Sequence, residues 1–189
     1  MATGRAPLNS LGIPFGLAGL SGTWTMAAHT LGLAAIVGHT LWALTALVWV
    51  VVMVNYGVRA HNGGGGVVAD LRHPIQGPFA ALAATVGMLL GAHYSVAFPT
   101  AGRVAVVLCM AVALIFGAWF VVQLTRGPRD IDALHAGYLL PTVAAAFIAG
   151  QSAGTFGWTT LSVAAIGVGL LSWCLIGRAS CRERVLYTV

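Results

Sequence analysis

Long apolar runs dominate this chain, and the polar positions between them fall in short clusters. No Asp, Glu, Lys or Arg occurs in Ala6–Val58, His73–Gly102, Val104–Thr125 or Ala133–Gly177. A helix that crosses a bilayer needs about 20 apolar residues. The first and last runs are therefore long enough for two spans each, and the middle two for one each. The pattern predicts six spans, near Leu11–Ala28, Ala34–Val58, Pro78–Phe98, Val104–Leu124, Leu139–Phe156 and Trp158–Ile176. They are expected to be helices, because lipid offers no partner to an open sheet edge and the alternating pattern of barrel strands is absent. The expected fold class is all-α: a polytopic membrane protein of about six transmembrane helices. A secretory signal is disfavoured for the first run, since Pro14 and several glycines interrupt it and it continues into a second span.

The odd and even predicted spans differ in residue type. The first carries Gly12, Pro14, Gly16, Gly19, Ser21, Gly22 and Thr23. The third begins at Pro78 and carries Thr85, Gly87 and Gly91; the fifth carries Pro141, Thr142, Gly150, Gln151, Ser152 and Gly154. The second and fourth lack proline and are rich in large residues such as Trp42, Leu47, Trp49, Ile115, Phe116 and Phe120, and the sixth is intermediate. Small residues let backbones approach, and proline frees a carbonyl that is tolerated at membrane depth only against protein or a water-filled cavity. This alternation suggests an inner ring of odd helices lining a pathway, within an outer ring of even helices, with the helical hairpin as repeating unit. The alternative is ordinary packing adjustment, since glycine and proline are both frequent in membrane helices. The pairs Gly12/Gly16, Gly87/Gly91 and Gly150/Gly154 fit small-xxx-small helix packing.

Composition sharpens the class. Hydrophobic residues make up 59% and charged residues 7% of the 189, and mean hydropathy is +0.91. A water-facing surface needs far more charge, so a soluble enzyme, a nucleic-acid binder and a disordered chain are excluded. The formal net charge of +5 comes from arginines, which sit between apolar blocks. With six spans, Arg5, Arg59, Arg72, Arg126 and Arg129 share one side and Arg103 lies on the other. The positive-inside rule then puts the N-terminus in the cytoplasm, with the chain in the cell's plasma or inner membrane. The loop with Gly63–Gly66 reads as flexible, and Arg126–Asp132 as a solvated loop. Cys109, Cys174 and Cys181 show neither metal spacing nor a disulfide framework.

The C-terminal residues change character abruptly. Ile176–Val185 resembles the translation of a common DNA-sequencing adapter. On that reading residues 1–177 form the transmembrane unit, the native frame ends near Leu175, and residues 178–189 are a non-native tail. A basic cytoplasmic tail is the alternative.

Leu11-Gly12-Ile13-Pro14-Phe15-Gly16-Leu17-Ala18-Gly19-Leu20-Ser21-Gly22-Thr23-Trp24 resembles the opening helix of the tellurite-resistance/dicarboxylate transporter family, which includes plant slow-type anion channels. His73-Pro74-Ile75-Gln76-Gly77-Pro78-Phe79 is similar to the lead into that family's third helix, and Leu139-Leu140-Pro141-Thr142-Val143-Ala144 to its fifth-helix motif. The resemblance covers about residues 8–177. It implies a fold of ten helices in five hairpins, a central pore inside proline-kinked odd helices, a phenylalanine gate on the ninth helix, and trimeric assembly. This chain would then be an N-terminal portion lacking the gate. The resemblance implies that Gly12 faces the pore, that Phe15 packs against the gate, and that Pro14 and Pro141 are kink prolines. With Gly16 and Thr142 they form the expected pathway set. The implied activity is transmembrane passage of a small anion: a C4-dicarboxylate, sulfite, tellurite or an inorganic anion.

The spans carry no carboxylate and no arginine, which argues against a cation channel with acidic rings and permits an anion pore built from size, hydroxyls and helix dipoles. Ser21, Thr23, Thr142 and Ser152 are candidate hydroxyls; bonding back to their own helix is the alternative. Gly19-Leu20-Ser21-Gly22 matches the G-x-S-G of rhomboid intramembrane proteases, but a serine nucleophile needs a histidine base and the sixth span has none. His39 and His93 could clamp a haem between helices, although repeated pairs are absent. An intramembrane enzyme or a haem-bearing redox subunit is therefore the alternative reading. Neither a metal nor another cofactor is expected.

Overall fold

The computed structural model describes residues 8–62, 67–125, 138 and 140–186, with side chains left aside at 62, 124, 125 and 176–186. The expected flexible run Gly63–Gly66, the loop Arg126–Asp132 and residues 187–189 lie outside the described residues. Among the described residues there is no strand. A 3-10 turn at Leu8–Leu11 leads into α1 (Gly12–Leu31), followed by α2 (Ala35–Asn62) and the short α3 (Val67–Arg72). A second 3-10 turn (Gly77–Ala80) opens α4 (Ala81–Tyr94), which is followed by α5 (Pro99–Thr125). A π turn (Leu140–Ala144) opens α6 (Ala145–Thr155), and α7 is Thr159–Leu186.

Connections between successive long helices are tight. Gly32 ends α1 at φ 69° and Gly157 sits at φ 72° between α6 and α7, left-handed positions that favour glycine. Between α4 and α5, Phe98 N–H donates to Tyr94 O at 2.9 Å and Gly102 N–H to Phe98 O at 2.8 Å. The helix therefore begins at Pro99, not at the expected Val104, because proline at the first helical position has no intrahelical bond to lose.

Helix α1 packs chiefly on α2, α4 on α5, and α6 on α7, while α4 also touches α1, α2 and α6. The result is an arc of α1, α4 and α6, with α4 at its centre and buried along most of its length. Small residues set the approach: a Cβ added at Gly87 would lie 2.6 Å from Cys109 Sγ, and one at Gly150 would lie 2.9 Å from Ser162 O. Trp49 Nε1 donates to Ala83 O at 3.1 Å and ties α2 to α4.

Two helices, Ala35–His61 and Pro99–Gln123, are long and apolar enough to cross a membrane, with 17% and 22% of their most apolar windows buried. Their apolarity therefore points mostly away from the protein. Leu114, Ile115, Leu47 and Leu171 are all exposed. A surface of this kind suits lipid and is rarely left bare in water. Thr159–Leu175 is a shorter apolar helix of the same character.

Candidate functional site

The segments that carry Pro14, Pro78 and Pro141 each open with a turn that is not α-helical. Pro14 cannot donate to Ser10 O, and the chain upstream of it winds as the 3-10 turn Leu8–Leu11. Pro78 lies within the turn Gly77–Ala80, and Pro141 within the π turn Leu140–Ala144. Pro14 and Pro78 are fully buried and Pro141 is buried. The three turns meet: the first packs on the second and the second on the π turn. Leu8, Leu11 and Leu82 form the core there, with Phe15, Phe79 and Leu140 against them.

The expected pathway residues divide between two places. On α1, Gly12, Gly16 and Gly19 share a face, and a Cβ added at any of them would meet nothing within 4 Å. Gly12/Gly16 is thus not a packing pair among the described residues. Gly87/Gly91 and Gly150/Gly154 do face partner helices. Phe15 is half-buried between two core clusters, that of Ala18, Trp42, Val86 and Leu90 and that of Leu8, Leu11 and Leu82. Pro141 and Thr142 instead line an apolar groove of about 580 Å³ between α5, α6 and α7, to which α1 contributes no residue.

The candidate hydroxyls also divide. Ser21 Oγ donates to Leu17 O at 2.7 Å and lies 3.1 Å from Thr45 Oγ1, and Thr23 Oγ1 donates to Gly19 O at 2.9 Å. Those two bond back to their own helix. Among the described residues, Thr142 Oγ1 and Ser152 Oγ are buried and have no hydrogen-bond partner. An unmet buried hydroxyl costs about 1–3 kcal/mol, which marks both as places where a polar group is wanted.

The alternative chemistries find little support in the geometry. Ser21 is fully buried, and its hydroxyl is committed to a carbonyl and another hydroxyl, not to a histidine base. His39 and His93 do come together, with ring centres 6.3 Å apart. Trp42 lies flat on His93 at 4.4 Å and Tyr94 stands across it at 5.0 Å. Among the described residues no group of three His, Cys, Asp or Glu gathers to hold a metal.

Sequence reasoning missed a polar pocket of about 130 Å³ lined by Leu71, Arg72, His73, Trp119, Phe120 and Gln123. These residues come from α3 and its exit and from the last turns of α5. They form no motif along the chain, so only the fold brings them together. The bonding of Trp24 was also not legible: its Nε1 donates to Ala34 O at 3.1 Å and closes the α1–α2 turn.

Comparison with known proteins gives two matches. Residues 5–180 match the model of a family described as voltage-dependent anion channel, SLAC1. The chain is also 26% identical over 170 residues to a protein of Haemophilus influenzae named tellurite resistance protein TehA homolog. That match takes in 89% of this chain and 52% of the relative, so the chain spans about half of the relative's length.

Proposed function

The chain belongs to the voltage-dependent anion channel family, SLAC1, and from that premise we propose that it carries small anions across the cell membrane along a conduit faced by its odd spans. The six spans of this reading are α1, α2, the Gly77–Ala80 turn with α4, α5, the π turn with α6, and α7, arranged as three helical hairpins. The pairing of each odd span with the next even one supports the hairpins. The observation that carries the conduit is the bare face of α1. Gly12, Gly16 and Gly19 present backbone to open space while large side chains crowd the outer surfaces of α2, α5 and α7.

Further helices would complete the ring, in keeping with the length of the relative. Pro14 and Pro141 would set the entry turns and Phe15 would back the α1 wall, while Thr142 faces the separate groove between α5, α6 and α7. The substrate class is a C4-dicarboxylate, sulfite, tellurite or inorganic anion, and the TehA homolog's name favours the tellurite-resistance branch. The arginine distribution supports a cytoplasmic N-terminus. Assembly is proposed as a homotrimer. The test is anion flux in liposomes carrying the product of the uninterrupted gene. Flux above that of empty liposomes, altered in Phe15→Ala, is expected. Flux equal to that of empty liposomes for chloride, sulfite and malate alike would overturn the reading.

A further inference from the structure

We propose that the pocket between Arg72, His73, Trp119 and Gln123 binds an oxyanion of the phosphate or sulfate class, at a site apart from the conduit along α1. The pocket lies at the end of the molecule where α4 begins and α5 finishes, and polar atoms make up most of its wall. Its polar members supply hydrogen-bond donors. Arg72 brings a guanidinium, whose planar fork matches an oxyanion with two parallel bonds. His73 Nδ1 lies 3.2 Å from Ile75 N and 3.3 Å from Gln76 N and accepts from both. The neutral ring therefore carries its hydrogen on Nε2, a donor. Trp119 brings an indole N–H and Gln123 an amide NH₂.

Among the described residues, Arg72, Trp119 and Gln123 make no hydrogen bond, and Arg72 makes no ion pair. The nearest carboxylate in sequence, Asp70, has Oδ2 accepting the Tyr56 hydroxyl at 3.4 Å, which turns it toward α2. Phe120 braces this corner, with its ring centre 5.6 Å from that of Tyr138 and 6.2 Å from that of Phe116. The volume of about 130 Å³ far exceeds the roughly 10–15 Å³ needed to admit one water, and it suits one tetrahedral or trigonal oxyanion. The guanidinium, the imidazole Nε2–H, the indole N–H and the amide NH₂ are all donors, and the one fixed positive charge among them favours an anion. The same chemistry would serve a free inorganic anion or the phosphate of a lipid headgroup.

The experiment titrates the purified chain and reads Trp119 emission as the difference from Trp119→Phe, at constant ionic strength. One arm adds inorganic phosphate to protein in neutral detergent. The other compares nanodiscs of phosphatidylcholine with nanodiscs containing phosphatidylglycerol. A saturable change is expected, with apparent affinity weakened tenfold or more in Arg72→Gln, severalfold in Gln123→Leu, and partly restored in Arg72→Lys. Saturation with phosphate assigns a free anion, and a response confined to phosphatidylglycerol assigns a headgroup; either supports the site. No saturable change in either arm, or one that survives both Arg72→Gln and Gln123→Leu, overturns it. Flux is not read, so failure here leaves the conduit reading untouched, and loss of flux leaves this one untouched.

Discussion

Replacing Gly150 with alanine tests how tightly α6 and α7 are joined. The added methyl would lie 2.6 Å from Ile166 Cγ1 and 2.9 Å from Ser162 O. Ile166 Cγ1 sits next to the branched Cβ and moves only with a change of χ1; the carbonyl is backbone and moves only with α7. Ser162 Oγ also donates to Gly150 O at 2.7 Å, across the same contact. Overpacking of this kind costs about 1–3 kcal/mol, and a stretched interhelical bond in a membrane protein adds about 0.6 kcal/mol. Alanine returns up to about 1 kcal/mol through helix propensity. The net expectation is a loss of about 1–2 kcal/mol. Gly167→Ala is the control, because a Cβ there meets nothing within 4 Å, and it should hold or gain stability. Reversible unfolding in mixed detergent micelles reads both. Gly150→Ala matching or exceeding Gly167→Ala in stability would refute the reasoning.

Two further substitutions probe other parts of the account. Thr142→Val removes a buried hydroxyl that has no partner among the described residues, so unfolding in detergent should show a gain of about 1 kcal/mol. Thr45→Val, which loses a bond to Leu41 O at 2.8 Å, should instead destabilise. Gly77→Ala would drive a methyl into the backbone carbonyl of Leu71; it should destabilise by about 2 kcal/mol or more and lower the yield of folded protein on size-exclusion chromatography.

The apolar blocks were legible because lipid exposure leaves a one-dimensional trace: charges vanish over the length of a span. The proline-marked starts of α1, α4 and α6 were legible for a related reason, since a missing N–H acts locally. The form of each break was not, because a 3-10 turn before Pro14 and a π turn around Pro141 depend on what packs beside them. The fate of hydroxyls was equally hidden. Ser21 finds Thr45 on the next helix, while Ser152 finds no partner, and nothing in their neighbours along the chain distinguishes them. Glycine pairs with one spacing also met different ends. Gly87/Gly91 and Gly150/Gly154 face partner helices, whereas Gly12/Gly16 faces open space.

That bare face of α1 is where the account stands or falls. With Cys109, Cys174 and Cys181 replaced by serine, single cysteines at Gly12, Gly16 and Gly19 are compared with cysteines at Leu114 and Ile115, which lie on the outward surface of α5. A charged, membrane-impermeant thiol reagent is applied to the protein in lipid vesicles. A water-filled conduit requires the three α1 positions to react, and to be protected by a transported anion, while the α5 positions stay inert. Inert α1 cysteines, or α1 and α5 cysteines reacting alike, would contradict it.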